Sequence, residues 1–186
     1  MGQRKQLYNR QPYKVGWCFP FLLSQYFLSI ITVLVRRKAL DDLEYWFDPQ
    51  FEIIEEADLF RRIGYVWKLA MVNRPLAKWR IRESSLTWSK HHLVLPETSQ
   101  MLKKYSKIFP DFKKLYEHEI NILNKDIKID AGFHYLREGN NCKAREYLSP
   151  FKFSNKKAFI FYMMTLLPRN YFSLILKLRG SVIPMN

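Results

Sequence analysis

Glu55, Glu56 and Asp58 put three carboxylates into four consecutive positions between two apolar, β-like runs, and Trp79, Arg80 and Arg82 follow in a basic, aromatic stretch. A carboxylate among apolar segments is costly unless it lines a cleft, accepts hydrogen bonds or faces a cation. Thr32 to Thr87 is therefore where chemistry is sought first. A carboxylate in such a setting can serve as a general base. His91-His92 is a weaker candidate, because adjacent side chains diverge on a helix or strand and do not converge on a metal; a surface role is expected. Cys18 and Cys142 lie far apart, with no Cys-x-x-Cys pattern and no His at ligand spacing, and are expected to be buried free thiols of a reducing cytosol.

The elements around the carboxylates follow from residue type and period. Ile30 to Val35 is rich in β-branched residues and predicts a strand. Arg36 to Leu43 predicts a short helix, and Trp46-Phe47-Asp48-Pro49 a turn. From Glu55 to Ile63 a helical period turns Leu59, Phe60 and Ile63 to a core and Glu56, Arg61 and Arg62 away from it. Its acidic first turn suits the positive end of the helix dipole. Val66 to Val72 and Leu76 to Ile81 predict short strands about the turn Asn73-Arg74-Pro75. The carboxylates thus fall at a strand-to-helix junction.

From Pro96 onward helices are expected. Glu97 to Ile108 is amphipathic, Pro110 interrupts, and Phe112 to Leu123 continues. Ile129 to Glu138, the turn Gly139-Asn140-Asn141 and Cys142 to Leu148 predict a helical hairpin. Lys156 to Leu167 and Tyr171 to Leu178 are strongly apolar helices, which either pack on their neighbours or rest on a membrane. The domain division expected is residues 1–95 and 96–186.

Among 186 residues, 31 Lys and Arg against 17 Asp and Glu leave a net charge of +14, with 48% apolar residues. This excludes a disordered chain and favours a phosphate-rich or anionic partner. Lys103, Lys104, Tyr105 and Lys107 would permit nucleic-acid contact, but no reader motif accompanies them, and nucleic acid is not expected. Val15 to Val35 carries no charge and is long enough to span a bilayer. Pro20, Ser24, Gln25 and Ser29 interrupt it, so a helix followed by a strand is expected instead of a spanning helix.

Several of these segments together resemble a bacterial family 2 glycosyltransferase. LLSQYFLSIITVLVRRKAL is similar to the lead into the late strand of that fold, IIEEADLFRRI to its acidic motif and following helix, and VNRPLAKWRIRESSLT to its closing strand and loop. The tail AREYL to YMMTLLP resembles the C-terminal extensions of such enzymes. The resemblance covers most of the chain from about Trp17 and implies an α/β remnant of a GT-A fold, mainly α here, with short strands and a helical C-terminal extension.

The resemblance implies an inverting transfer of a sugar from a nucleotide-sugar donor to a carbohydrate or lipid-linked acceptor in cell-surface polysaccharide or glycolipid synthesis. Glu56 matches the catalytic Asp of the family and would take the acceptor hydroxyl's proton. Glu55 precedes it, and Asp58 matches the second acidic position. Arg82 stands where relatives carry His; its fork would pair with the diphosphate, with Arg80 and Trp79 beside it. An Asp-x-Asp motif, which would hold Mg²⁺ or Mn²⁺ in the complete enzyme, does not occur in this chain, nor does an alternating nucleotide-binding half before Trp17. The chain is therefore expected to be an acceptor-side fragment, inactive alone, binding no metal by itself, cytoplasmic and peripheral at the inner face of the membrane. The alternative is a basic membrane- or nucleic-acid-associated binding protein without catalysis.

Overall fold

The computed structural model describes residues 15–72, 74, 76–78 and 89–167. The described part is mostly helical. Its helices are α1 (Phe19–Ser24), α2 (Arg37–Asp41), α3 (Glu55–Val66), α4 (Val94–Ile108), α5 (Phe112–Leu115), α6 (Glu117–Arg137), α7 (Asn141–Leu148) and α8 (Lys156–Met164). Short 3-10 turns occur at Ile30–Thr32, His91–Leu93 and Ser149–Phe151. The chain divides into two compact units, one of Met1–Ile81 with Met101–Asn121, the other of Arg82–Gln100 with Ile122–Asn186.

In the first unit, α1 packs on α3. Pro20 stands in the opening turn of α1, where its missing N–H leaves no bond unmade. Leu22 and Leu23 are buried against α3, and a Cβ at Gly64 would come 2.7 Å from Leu22 Cδ1. Glycine at that position lets the two helices approach. Phe19 is the hub of an aromatic cluster, with ring centroids 5.0 Å from Tyr65, 5.6 Å from Phe109 and 5.0 Å from Tyr116. Tyr65 and Phe109 stack at 3.8 Å. Such edge and offset contacts add to what area burial alone supplies.

The strands expected from the sequence are not found among the described residues. Ile30 to Val35 forms a 3-10 turn and an extended connection, with Leu34 fully exposed. Val66 is the last residue of α3. From the second expected strand only Leu69 pairs, in an isolated antiparallel bridge with Gly16 through bonds of 2.7 and 2.8 Å. Leu76 to Lys78 is irregular, and residues 79–81 lie outside the described part. β-branched side chains favour extended backbone, but a ladder also requires a partner edge, and among the described residues these segments have none beyond that bridge.

The second unit is built on α6, α7 and α8. Ile129, Leu136, Ala144, Leu148, Ala158 and Met164 form its buried core, with Phe133 stacked on Phe161 at 4.4 Å. The hairpin expected about Gly139-Asn140-Asn141 forms. Gly139, with φ 81°, ends α6 in the left-handed conformation glycine tolerates. Asn140 caps α7 by accepting from Lys143 N at 3.1 Å, and Asn155 caps α8 in the same way from Ala158 N. The break expected at Pro110 is also present, with Asp111 at φ 50°. Beyond it, α6 runs unbroken through residues 124–128, where two helices were expected. The region Tyr171 to Leu178 lies outside the described residues. No helix among those described is long and apolar enough to cross a membrane.

Candidate functional site

The carboxylates occupy the first turn of α3, where the free N–H groups and the helix dipole favour negative charge. No side chain caps this end, so the acids themselves supply the local complement. Glu56 is half-buried, and its Oε2 accepts a bond from the Ile30 backbone N–H at 3.3 Å. Burial pushes its carboxyl above the ordinary value; the Ile30 bond opposes this, and the neighbouring Glu55 charge adds to it. Glu55 is also partly buried, and its Oε2 has no hydrogen-bond partner among the described residues. Glu56 is thus a carboxylate of raised proton affinity, with the partly buried Glu55 beside it offering an oxygen that retains free acceptor capacity.

Asp58 sits differently. It is 0% exposed, and its two oxygens face Arg62 Nε at 2.9 Å and Lys104 Nζ at 2.6 Å. Lys104 also meets Asp48 Oδ2 at 2.9 Å, and its ammonium lies over the Phe51 ring at 4.7 Å. Burial raises the Asp48 carboxyl, but the Gln50 N–H and Lys104 outweigh it and hold the group below its ordinary value. Arg62 donates onward to the carbonyls of Tyr45 and Trp46 and lies over the Tyr45 ring. The Tyr105 hydroxyl donates to the Asp58 backbone carbonyl at 3.2 Å. One buried network therefore ties the loop at 45–51, helix α3 and residues 101–108 of α4.

Arg61 and Arg62 are the residues on which the sequence-based expectation fails. Both were expected to point away from the core, and both are buried. Arg61 donates to the carbonyls of Leu22 and Leu23 at 2.9 and 3.5 Å and stacks over Tyr26. Those carbonyls belong to the last turn of α1, which has no partners of its own for them, and the guanidinium serves as their cap. The buried guanidinium is tolerated because each of its three nitrogens meets an acceptor, the third being Met101 Sδ at 3.4 Å from Nη1. The Asp58–Arg62 spacing of four was a visible signal for a helical ion pair. Nothing local to the sequence marks Lys104 or Asp48 as its partners.

Trp79, Arg80 and Arg82 lie outside the described residues, so the acidic and basic parts of the sequence motif are not seen together. Among the described residues, no group of His, Cys, Asp or Glu is arranged to hold a metal ion. Cys18 is buried, its Sγ donating to Gly16 O at 3.1 Å, whereas Cys142 is exposed, contrary to its expected burial. It lies on the open side of α7 while Ala144 and Leu148 take the buried side.

In the second unit His91 is half-buried instead of lying on the surface. Its ring stacks on His134 at 4.9 Å, and His134 Nε2 lies 3.0 Å from Glu138 Oε1. Burial first, and then the neighbouring His134 and Arg137, push His91 down to about 4, with Glu138 opposing. The pair is parallel and not convergent, a geometry of packing more than of metal ligation. Comparison with family models, characterised proteins and solved structures finds no match to the chain.

Proposed function

We propose that this chain is the acceptor-side portion of an inverting, nucleotide-sugar-dependent glycosyltransferase of the GT-A type, with Glu56 as general base. The observation that carries the reading is the state of Glu56: half-buried, raised in proton affinity by burial and Glu55, and mounted on a helix fixed by the Asp58 network. A base that must take a hydroxyl proton works best when its affinity is raised yet it is still ionised near neutral pH. As the acceptor oxygen attacks the anomeric carbon, its proton passes to a Glu56 carboxylate oxygen, and the bond to the nucleoside diphosphate breaks. The buried Asp58 acts as a positioning residue that fixes the helix carrying Glu56, without touching substrate. Arg82, with Arg80 and Trp79, takes the diphosphate end in this reading. Among the described residues no group of His, Cys, Asp or Glu forms a divalent-cation site.

The test is transfer by the full chain fused to the nucleotide-binding half of a family 2 transferase, read as acceptor-dependent release of nucleoside diphosphate. Glu56→Gln is expected to lower kcat by about a hundredfold or more with unchanged circular dichroism, since general-base contributions are of that order. Wild-type activity should rise with pH as Glu56 loses its proton, and Glu56→Asp should recover part of it. Full activity in Glu56→Gln would remove the assignment.

A further inference from the structure

Helix α8 is apolar on both sides, yet only one side is covered. Ala158, Met164 and Thr165 are buried, with Phe161 and Tyr162 packed against the core of the second unit. Phe159, Ile160, Met163, Leu166 and Leu167 stay 40–53% exposed. At about 100° per residue Phe159, Ile160 and Met163 fall within less than a third of the helix circumference, and Leu166 and Leu167 follow in the turn that ends it, so the exposed apolar surface continues past the helix. A helix apolar all round is normally buried all round, and a contiguous exposed apolar stripe marks a surface that meets a partner.

The chemistry beside the stripe selects the partner. Phe153, 89% exposed, precedes the helix, and Lys152, Lys156 and Lys157 flank it. The Lys152 ammonium is held 4.5 Å from the Tyr162 ring and 5.1 Å from that of Phe153, which fixes a cation at the edge of the apolar surface. Lys156 begins the helix on the same side as the stripe. Apolar side chains bordered by lysines are the pattern of a helix lying in a bilayer interface, with the rings in the acyl boundary and the ammonium groups among anionic headgroups. A second copy fits less well, because pairing this face would bring the same lysines together on two chains of net charge +14.

We propose that the α8 face, with Phe153 and the three lysines, docks the protein onto an anionic lipid surface. Docking does not depend on the transferase reading, and either can fail without the other. The full chain is tested by vesicle co-sedimentation at 150 mM salt, with phosphatidylcholine alone and with about 30% phosphatidylserine added. Wild type is expected to bind the mixed vesicles about tenfold or more tightly than the neutral ones. Phe159→Ser with Met163→Ser is expected to weaken that binding about tenfold, with circular dichroism unchanged because both positions are exposed. Lys152→Gln, Lys156→Gln and Lys157→Gln together are expected to weaken binding to the mixed vesicles about tenfold or more while leaving binding to neutral vesicles unchanged. Wild-type binding by the Ser variant would overturn the assignment, since a generally basic chain binds anionic vesicles without this stripe. Absence of wild-type binding would overturn it too, as would dimerisation through the stripe in place of vesicle binding.

Discussion

Replacing Lys104 by Met tests whether the buried ion network holds the helix that presents Glu56. Lys104 is the cation shared by Asp48 and Asp58, at 2.9 and 2.6 Å, and its side chain is 16% exposed while the two acids are 4% and 0% exposed. Methionine keeps most of the stem's volume, so the substitution chiefly removes charge. Breaking a buried pair by deleting one partner costs about 3–5 kcal/mol, because the remaining charge is left without compensation. Here Asp58 keeps Arg62 and Asp48 keeps the Gln50 N–H, which places the expected loss near the lower end, at about 3 kcal/mol. Of the five tryptophans, Trp17, Trp46 and Trp67 are described residues of the first unit, so urea unfolding followed by tryptophan fluorescence, with Trp79 and Trp88 replaced by Phe, reports on that unit. Asp58→Asn and the double variant complete a cycle. A coupling of about 2 kcal/mol is expected for groups in direct contact. A loss below about 1 kcal/mol in Lys104→Met, or coupling near zero, would refute the network as the support of α3.

Two further predictions concern the second unit. Gly132→Ala would gain about 1 kcal/mol of helix propensity, but its Cβ would lie 2.6 Å from Cγ of the fully buried Leu148. The net expectation is a loss of about 1–2 kcal/mol in chemical denaturation, and a more stable protein would refute the close approach of α6 and α7. His91 is depressed from 6.5 to about 4 in the folded chain, so the unfolded chain binds the extra proton between those values and stability falls as pH drops through that window. The unscreened limit is about 3 kcal/mol; partial exposure reduces it to about 1–2 kcal/mol. Denaturation curves of wild type and His91→Gln should converge by that amount as pH falls from about 7 to about 4, and parallel pH dependence would contradict the depressed value.

The sequence was most informative where a structural signal is local. Pro110, the Gly139-Asn140-Asn141 turn and the apolar period after Pro96 each predict a boundary or a helix that is present. The carboxylates at a helix start were equally readable, because an acidic first turn has a local electrostatic reason. Strands were overcalled because β-branched composition describes side chains and says nothing of whether an edge is available to pair with Ile30 to Val35. The inward course of Arg61 and Arg62 was hidden for a related reason. Their acceptors are carbonyls of Leu22, Leu23, Tyr45 and Trp46, and a backbone carbonyl leaves no trace in residue type. The His91–His134 stack likewise joins two positions that only the fold makes neighbours.

Helix α3 has no ordinary solvent side over most of its length: Ala57, Asp58, Leu59, Phe60, Arg61, Arg62 and Gly64 are all buried, on every side of the axis. Its tolerance to substitution is correspondingly uneven. The interior dictates the residue type at those seven positions through volume, ion pairing or close approach. Glu55 and Glu56 sit beyond that dictate, at the start of the helix, where glutamine keeps the packing and an acceptor for the Ile30 N–H and gives up only the favourable charge. A screen of substitutions scored for folding alone would therefore pass freely at the acidic pair and fail along the rest of α3. Under the proposed transferase reading, the same screen scored for activity would fail at Glu56 as well, and the difference between the two maps would isolate what the carboxylate does from what the helix needs.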